Sequence, residues 1–238
     1  MINLITVCTD AYPMEYARKL ITRFTDLTEY EVKAWCITDR PDEISDIATP
    51  LEPAFGNVEG WWNKIQVYDS FYEGNAVYLD IDTVLVKNFD AEIVDAIEKL
   101  KDPRVKVACV SDAITWMDNK FSSSMMVLSS GKMQEVYDLF KLESWRLSNY
   151  LGGDQVWTGR LLDEWKPGGY AEIYYMDEEF NKNLKLNLKF HLGTKIMGSW
   201  SFPKYIPTKC KIVYCGGKPK PHELDNLPYI KENWHDVK

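Results

Sequence analysis

The chain has 238 residues, is 45% hydrophobic and carries a formal net charge of −8. That length and apolar content are enough for one large α/β domain with a sizeable core. The negative charge argues against nucleic acid or an anionic membrane as the main partner, so any phosphate must be met locally, by a metal ion or a few lysines.

In chain order, the apolar run Leu4–Cys8 reads as a strand ending in Thr9 and Asp10. Pro13 then opens a helix with apolar spacing at Tyr16, Leu20, Ile21 and Phe24. Val32–Ile37 reads as a second strand, ending in Thr38 and Asp39 and followed by Pro41. Residues 40–57 are turn-rich, and apolar repeats at Trp61, Ile65, Tyr68 and Tyr72 predict a helix. Ala76–Leu79 is a third strand, delivering Asp80 and Asp82. A helix near Glu92–Leu100, strands at Val105–Val110 and Ser124–Leu128, and helices at Lys132–Leu142 and Asp154–Trp165 follow. Beyond residue 166 the chain is richer in Gly, Pro and Lys, with short strands at Glu172–Met176 and Lys211–Tyr214. Strands alternating with helices of this length call for a mostly parallel sheet. Three strands that end in Thr-Asp, Thr-Asp and Asp-Ile-Asp predict one polar rim along its carboxyl edge.

The five cysteines include no Cys-x-x-Cys, and Cys8, Cys36 and Cys109 lie inside apolar runs, which predicts buried free thiols in a reducing compartment. The first ten residues lack a basic leader, and no apolar stretch approaches a membrane span. These features predict a soluble, cytoplasmic protein. Nine tryptophans and fourteen tyrosines supply aromatic faces of the kind that suit the apolar C–H faces of sugar rings, as well as an aromatic core.

The run from Ala76 to Val86 carries the strongest chemical signal. Two carboxylates spaced i, i+2 at the end of a strand can hold one divalent cation, because the alternation of the sheet relaxes where the chain leaves it. The carboxyl end of such strands is also where open α/β sheets bind ligands. A different reading makes Asp80 the nucleophile and Asp82 the acid/base of a haloacid-dehalogenase-type phosphatase. That chemistry needs the strand near the start of the domain and a later acidic pair; here two strands precede Asp80, and Gly153-Asp154 has no acidic partner before Asp163. A sugar nucleotidyltransferase would need a Gly-rich first loop, and Val7 to Tyr12 contains no glycine. A non-catalytic carbohydrate-binding protein remains as a third class.

Five motifs in order resemble glycosyltransferase family 8, the group of glycogenin and galactinol synthase, which has the GT-A fold. Trp62-Asn63-Lys64-Ile65 resembles that family's lysine-bearing helix, and Lys64 precedes Asp80 by the same sixteen residues. Val77 to Asp90 resembles its metal motif and the continuation from it. Phe121-Ser122-Ser123-Ser124-Met125 stands where the family has Phe-Asn-Ser-Gly-Val, so Ser122 replaces an amide that would help to read the sugar. Gly152-Gly153-Asp154-Gln155 matches the segment facing the transferred sugar, and Gly217-Lys218-Pro219-Lys220-Pro221 the segment that closes over the diphosphate. The resemblance spans most of residues 3–225.

This resemblance implies one GT-A-like domain over residues 1–238, with about 1–90 binding the donor nucleotide and about 91–238 holding the donor sugar, the acceptor and the closing segment. It implies transfer of a sugar from a nucleotide diphosphate sugar, most often a UDP-sugar, to a carbohydrate or other hydroxyl-bearing acceptor, with retention of configuration. Mn²⁺ or Mg²⁺ would sit on Asp80 and Asp82. Thr9, Asp10, Thr38 and Asp39 would lie near base and ribose, Lys64, Asp80, Gly217, Lys218 and Lys220 near the diphosphate, and Asp154 and Gln155 at the reacting sugar. The family's third metal ligand, a His before the closing segment, is missing; Tyr214, Cys215 and Gly216 stand there, with His222 and His191 the nearest substitutes. Trp61, Trp62, Trp116 and Trp157 are candidate acceptor platforms.

Overall fold

The computed structural model describes residues 1–9, 12–55, 58, 60–111, 121–147, 153–165, 172–176, 205, 206, 208, 210–215 and 219–237. Its strands are β1 (Ile2–Val7), β2 (Val32–Ile37), β3 (Thr49–Leu51), β4 (Asn75–Leu79), β5 (Thr83–Leu85), β6 (Val105–Ser111), β7 (Phe121–Ser129), β8 (Glu172–Tyr175) and β9 (Ile212–Tyr214). The helices are α1 (Glu15–Leu27), α2 (Asp90–Lys99), α3 (Gln134–Leu147) and α4 (Gly153–Trp165), with a 3-10 helix at Gly60–Tyr68 and a short one at Pro221–Glu223.

Seven strands form one sheet in the order β3-β2-β1-β4-β7-β6-β8, and β5 pairs with β9 in a separate ribbon. Within the seven-stranded sheet pairing is parallel except at β7, which runs antiparallel to both neighbours, β4 and β6, and the β5–β9 ribbon is antiparallel. Alternation along each strand divides the core between two faces. Leu4, Val77 and Leu79 pack with α1 and α2, while Ile5, Ala76 and Tyr78 pack with the long 3-10 helix and α3. On α1 the spacing anticipated from sequence holds: Tyr16, Leu20, Ile21 and Phe24 are all buried.

Two features depart from the expectations. The helix anticipated from Trp61 to Tyr72 is a 3-10 helix over Gly60–Tyr68, and residues Trp62 through Tyr68 are all buried. Its apolar residues therefore do not mark one buried face of an α-helix; Trp61 itself points outward. Within the turn-rich stretch, Thr49–Leu51 forms an edge strand on β2, which tolerates Pro50 because a proline is admissible at a sheet edge.

All five cysteines are buried and free. Burial pushes the Cys8 thiol up to about 11 and those of Cys36 and Cys109 to about 12.

The chain leaves β1 for β2 and β3 on one side, then returns to β4 on the other. That reversal opens a crevice beyond the carboxyl ends of β1 and β4, the place where a doubly wound sheet takes a ligand. No helix among the described residues is long and apolar enough to cross a membrane.

Candidate active site

A cavity of about 350 Å³ lies in this crevice, lined among others by Thr9, Tyr12, Trp61, Lys64, Asp80, Asp82, Ser123, Asp154, Gln155, Tyr214 and Lys220. An adjoining cleft of about 960 Å³ shares Thr9 and Gly60 and takes in Thr38, Asp39, Glu52, Phe55 and Asn63. Six residues singled out in the sequence for donor, metal or sugar thus meet in one cavity: Lys64, Asp80, Asp82, Asp154, Gln155 and Lys220. Thr38 and Asp39 fall in the neighbouring cleft, and Thr9 joins the two. Asp10, Gly217 and Lys218 lie outside the described residues, as do Trp116 and His191.

β4 ends at Leu79, and its direction is held past the end by Asp80 N–H donating to the Ser124 carbonyl at 2.9 Å. The Asp80 Oδ1 accepts from the Tyr78 hydroxyl at 2.6 Å and from the Lys64 ammonium at 2.8 Å. Lys64 comes from the 3-10 helix. Its Nζ also donates to Ser123 Oγ at 3.1 Å and stands 3.7 Å from Asp154 Oδ2. Ser123 Oγ in turn donates to Asp154 at 2.9 Å, and the Ser123 N–H reaches Gln155 Oε1 at 3.3 Å. Asp154 lies in the first turn of α4, where helix N–H groups favour negative charge.

Across the cavity, the Lys220 ammonium is paired with Asp82 and lies 4.9 Å from the centre of the Tyr12 ring. Asp82 and Lys220 are 138 residues apart. The β5–β9 ribbon brings them together: Thr83 pairs with Tyr214, and Cys215 N–H donates to the Asp82 carbonyl at 3.2 Å.

Among the described residues, three carboxylates therefore face two ammonium groups. Burial, with the neighbouring Asp80 charge, pushes Asp82 up to about 6 in spite of Lys220. Burial likewise raises Asp154, against the opposing effect of Lys64. Burial alone would lower Lys64, but Asp154 and Asp80 hold it above its ordinary value. Counted over the described residues, the site is short of positive charge.

Asp80 spends Oδ1 on Tyr78 and Lys64, and Asp82 spends Oδ2 on Lys220. Among the described residues this leaves Asp80 Oδ2 and Asp82 Oδ1, on two residues that line the cavity, as hard oxygen donors of the kind that suit Mg²⁺ or Mn²⁺. The donor chemistry and the missing positive charge both fit such a cation. No described group of three or more His, Cys, Asp and Glu residues could hold a metal alone, so the remaining positions would fall to substrate and water. His222 is not among the residues that line the cavity, and its Nδ1 is bonded to the Tyr16 hydroxyl. Cys215 is fully buried in the core and burial raises its thiol, which keeps it protonated.

Ser123, Tyr12 and Tyr78 went unassigned as site residues in the sequence. Three successive serines in a strand that is otherwise apolar were the available signal for Ser123. Ser122, which stands where an asparagine was expected, instead pairs with Ser124 at 2.8 Å. Of the tryptophans, Trp62 is buried and stacked on Phe140 at 5.1 Å, and Trp157 packs against both. Among the described residues only Trp61 lines the cavity.

No protein-family model matches the chain, and no curated protein is similar to it in sequence. Comparison with solved structures shows the fold to be that of GT-A glycosyltransferases. The glycosyltransferase GlyE of Streptococcus pneumoniae TIGR4 superposes with a TM-score of 0.64 at 14% identity, over 92% of this chain and 55% of GlyE. The chain thus spans about half the length of GlyE. An active-site mutant of LgtC matches with a TM-score of 0.61 at 12% identity, over 99% of this chain and 95% of LgtC. Mouse xyloside xylosyltransferase 1 matches at 0.53 and 12% identity, over 91% and 97% of the two chains.

Proposed function

We propose that the chain is a metal-dependent glycosyltransferase that moves a sugar from a nucleotide diphosphate sugar, a UDP-sugar by preference, to a hydroxyl-bearing acceptor with retention of configuration. The observation that carries this reading is the meeting of Lys64, Asp80, Asp82, Asp154, Gln155 and Lys220 in one cavity at the switch point of a GT-A fold. LgtC, of the same fold, has been captured with donor and acceptor sugar analogs.

Base and ribose occupy the larger cleft beside Thr9, Thr38 and Asp39; Asp10, next to Thr9 in the chain, is a further candidate for the same role. The diphosphate lies between Lys64 and Lys220, with Gly217 and Lys218 belonging to the segment that closes over it. Mn²⁺ or Mg²⁺, held by Asp80 and Asp82 with the diphosphate, would act as a Lewis acid on the leaving group. Lys64 and Lys220 are fixed before the donor arrives, so their charge meets the departing diphosphate without reorganisation. Asp154 is the remaining carboxylate among the described residues of the cavity and faces the anomeric carbon, with Gln155 bonding the sugar hydroxyls. Because Lys64 and Ser123 hold Asp154 as a fixed anion, its part is to stabilise positive charge on the sugar from the face opposite the diphosphate. The acceptor then enters on the face the diphosphate leaves, which preserves configuration.

The test is thermal melting of wild type and Asp82→Ala with UDP, GDP, CDP and TDP, each with and without Mn²⁺. A ligand at 100 times its Kd stabilises the folded state by about 2.7 kcal/mol. The expected result is a rise in Tm with UDP that needs both Mn²⁺ and Asp82. Absence of any shift with all four nucleotides would overturn the reading, and hydrolysis of simple phosphomonoesters would then point to the phosphatase alternative at Asp80.

A further inference from the structure

The segments that follow β1 and β2 carry Thr9, Tyr12 and Asp39, which line the two cavities of the site. The sheet holds these segments at their roots. Val7 pairs with Ile37, and the Cys8 N–H donates to the Ile37 carbonyl at 2.9 Å. Beyond that point the parallel pairing of β1 and β2 ends. Within the first segment the described backbone bond is a turn, from the Tyr12 N–H to the Thr9 carbonyl at 3.1 Å.

Arg40 adds what the sheet does not. Its Nη2 donates to the Tyr12 carbonyl at 2.7 Å, to the Thr9 carbonyl at 3.2 Å and to Cys8 Sγ at 3.7 Å. Its Nε lies 3.4 Å from Asp39 Oδ1. The backbone of Arg40 is anchored in turn, its N–H donating to Thr38 Oγ1 at 3.1 Å. Bonds from a charged donor are stronger than neutral ones, and the planar guanidinium is ordered for several at once where an ammonium is a single point charge. One side chain therefore ties the end of β1 to the end of β2.

Arg40 nevertheless lines neither cavity. It opens on a separate groove of about 920 Å³, among Pro13, Glu15, Arg18 and Glu43. A donor seated in the two cavities meets Thr9, Tyr12 and Asp39, and any influence of Arg40 passes through them. Tyr12 carries that influence across the site. Its ring centre lies 4.9 Å from the Lys220 ammonium, which is paired with Asp82.

Resting on the transferase reading above, we propose that Arg40 is a positioning residue for the donor. It fixes Thr9 and Tyr12 in the arrangement that the nucleotide requires before the nucleotide arrives. A site ordered in advance binds more tightly, because the cost of ordering it does not fall on the binding step.

The experiment is calorimetric titration of nucleotide with Mn²⁺ into wild type, Arg40→Ala, Arg40→Lys, Tyr12→Ala and the Arg40→Ala/Tyr12→Ala double variant, each held well below its Tm. The probe is UDP, or whichever of GDP, CDP and TDP wild type binds in its place. Arg40→Ala should raise Kd about tenfold. Arg40→Lys keeps the charge without the fork and should fall between, about threefold or more above wild type. In the double variant the combined loss should be smaller than the product of the two single losses, because the ring that Arg40 positions is already gone. Either Arg40 variant binding within twofold of wild type, whatever its Tm, would overturn the proposal by making Arg40 a support of the fold alone. Losses that multiply in the double variant would also overturn it, since Arg40 would then not act through Tyr12. Wild type that binds none of the four nucleotides removes the transferase reading beneath it, an outcome distinct from both.

Discussion

Replacing Lys64 by Met tests whether this lysine is the electrostatic centre of the site. Its Nζ lies 2.8 Å from Asp80 and 3.7 Å from Asp154, and the residue is 9% exposed. At an effective dielectric of about 20 these two attractions come to about 6 and about 4 kcal/mol. Desolvation of the buried charges offsets much of that gain, but removing one partner strands the other, at a cost of roughly 3–5 kcal/mol. For a chain of this size each kcal/mol moves Tm by about 2–4 °C, so the variant should melt roughly 6–20 °C lower. The loss must also depend on pH. Burial already holds Asp154 above its ordinary value with Lys64 present, and without Lys64 the shift grows. A carboxyl raised in the folded state favours folding below its unfolded value, and that contribution is lost as pH rises through its folded value. The deficit of Lys64→Met relative to wild type is therefore largest at about pH 8 and shrinks toward about pH 5. Urea unfolding followed by tryptophan fluorescence at both pH values measures it. A loss under about 1 kcal/mol, or one equal at the two pH values, would refute a buried cation that balances two carboxylates.

Further outcomes follow from the same geometry. Asp82, raised to about 6 by burial and Asp80, costs wild type on the order of 2–3 kcal/mol as pH rises from about 4 to about 7; Asp82→Asn should lack that slope in urea titrations. Ser123→Ala removes the hydroxyl that accepts from Lys64 and donates to Asp154; it should lower stability by about 1–2 kcal/mol and slow sugar transfer about tenfold, with donor KM little changed. A rate equal to wild type would make Ser123 a packing residue only. Gly153→Ala forces a side chain to φ of +69° and against Trp61, so it should cost about 1–2 kcal/mol and alter the environment of that indole, which fluorescence quenching by acrylamide would detect.

The Asp-x-Asp pair after β4 and the amphipathic spacing of α1 were legible because each is a local property. Apolar periodicity reports which face of a segment is buried, and an apolar run that breaks into carboxylates reports where a buried strand meets the ligand edge. The same logic misread Trp61–Tyr72, because a segment packed on all sides has no face for a period to mark. It also passed over Thr49–Leu51, whose proline is tolerated only because the tertiary fold places that strand at the sheet edge.

What the amino-acid sequence determined by itself was the set of chemical groups and the strand ends on which most of them ride. What only the tertiary structure decided was their partners. Lys64 meets Ser123 across 59 residues, and Lys220 meets Asp82 across 138. Those pairings depend on the return of the chain from β3 to β4 and on the β5–β9 ribbon, which no local pattern encodes. The serine run showed polar atoms in a buried strand, but only the antiparallel course of β7 beside β4 aims Ser123 at Lys64 and Asp154. Trp61 and Trp62 are neighbours of identical chemistry, and packing against Phe140 sends one inward and leaves the other at the mouth of the site. Charge balance, likewise, is a sum over groups that the fold brings within a few ångströms, so the raised Asp82 could not be read from its position in the chain.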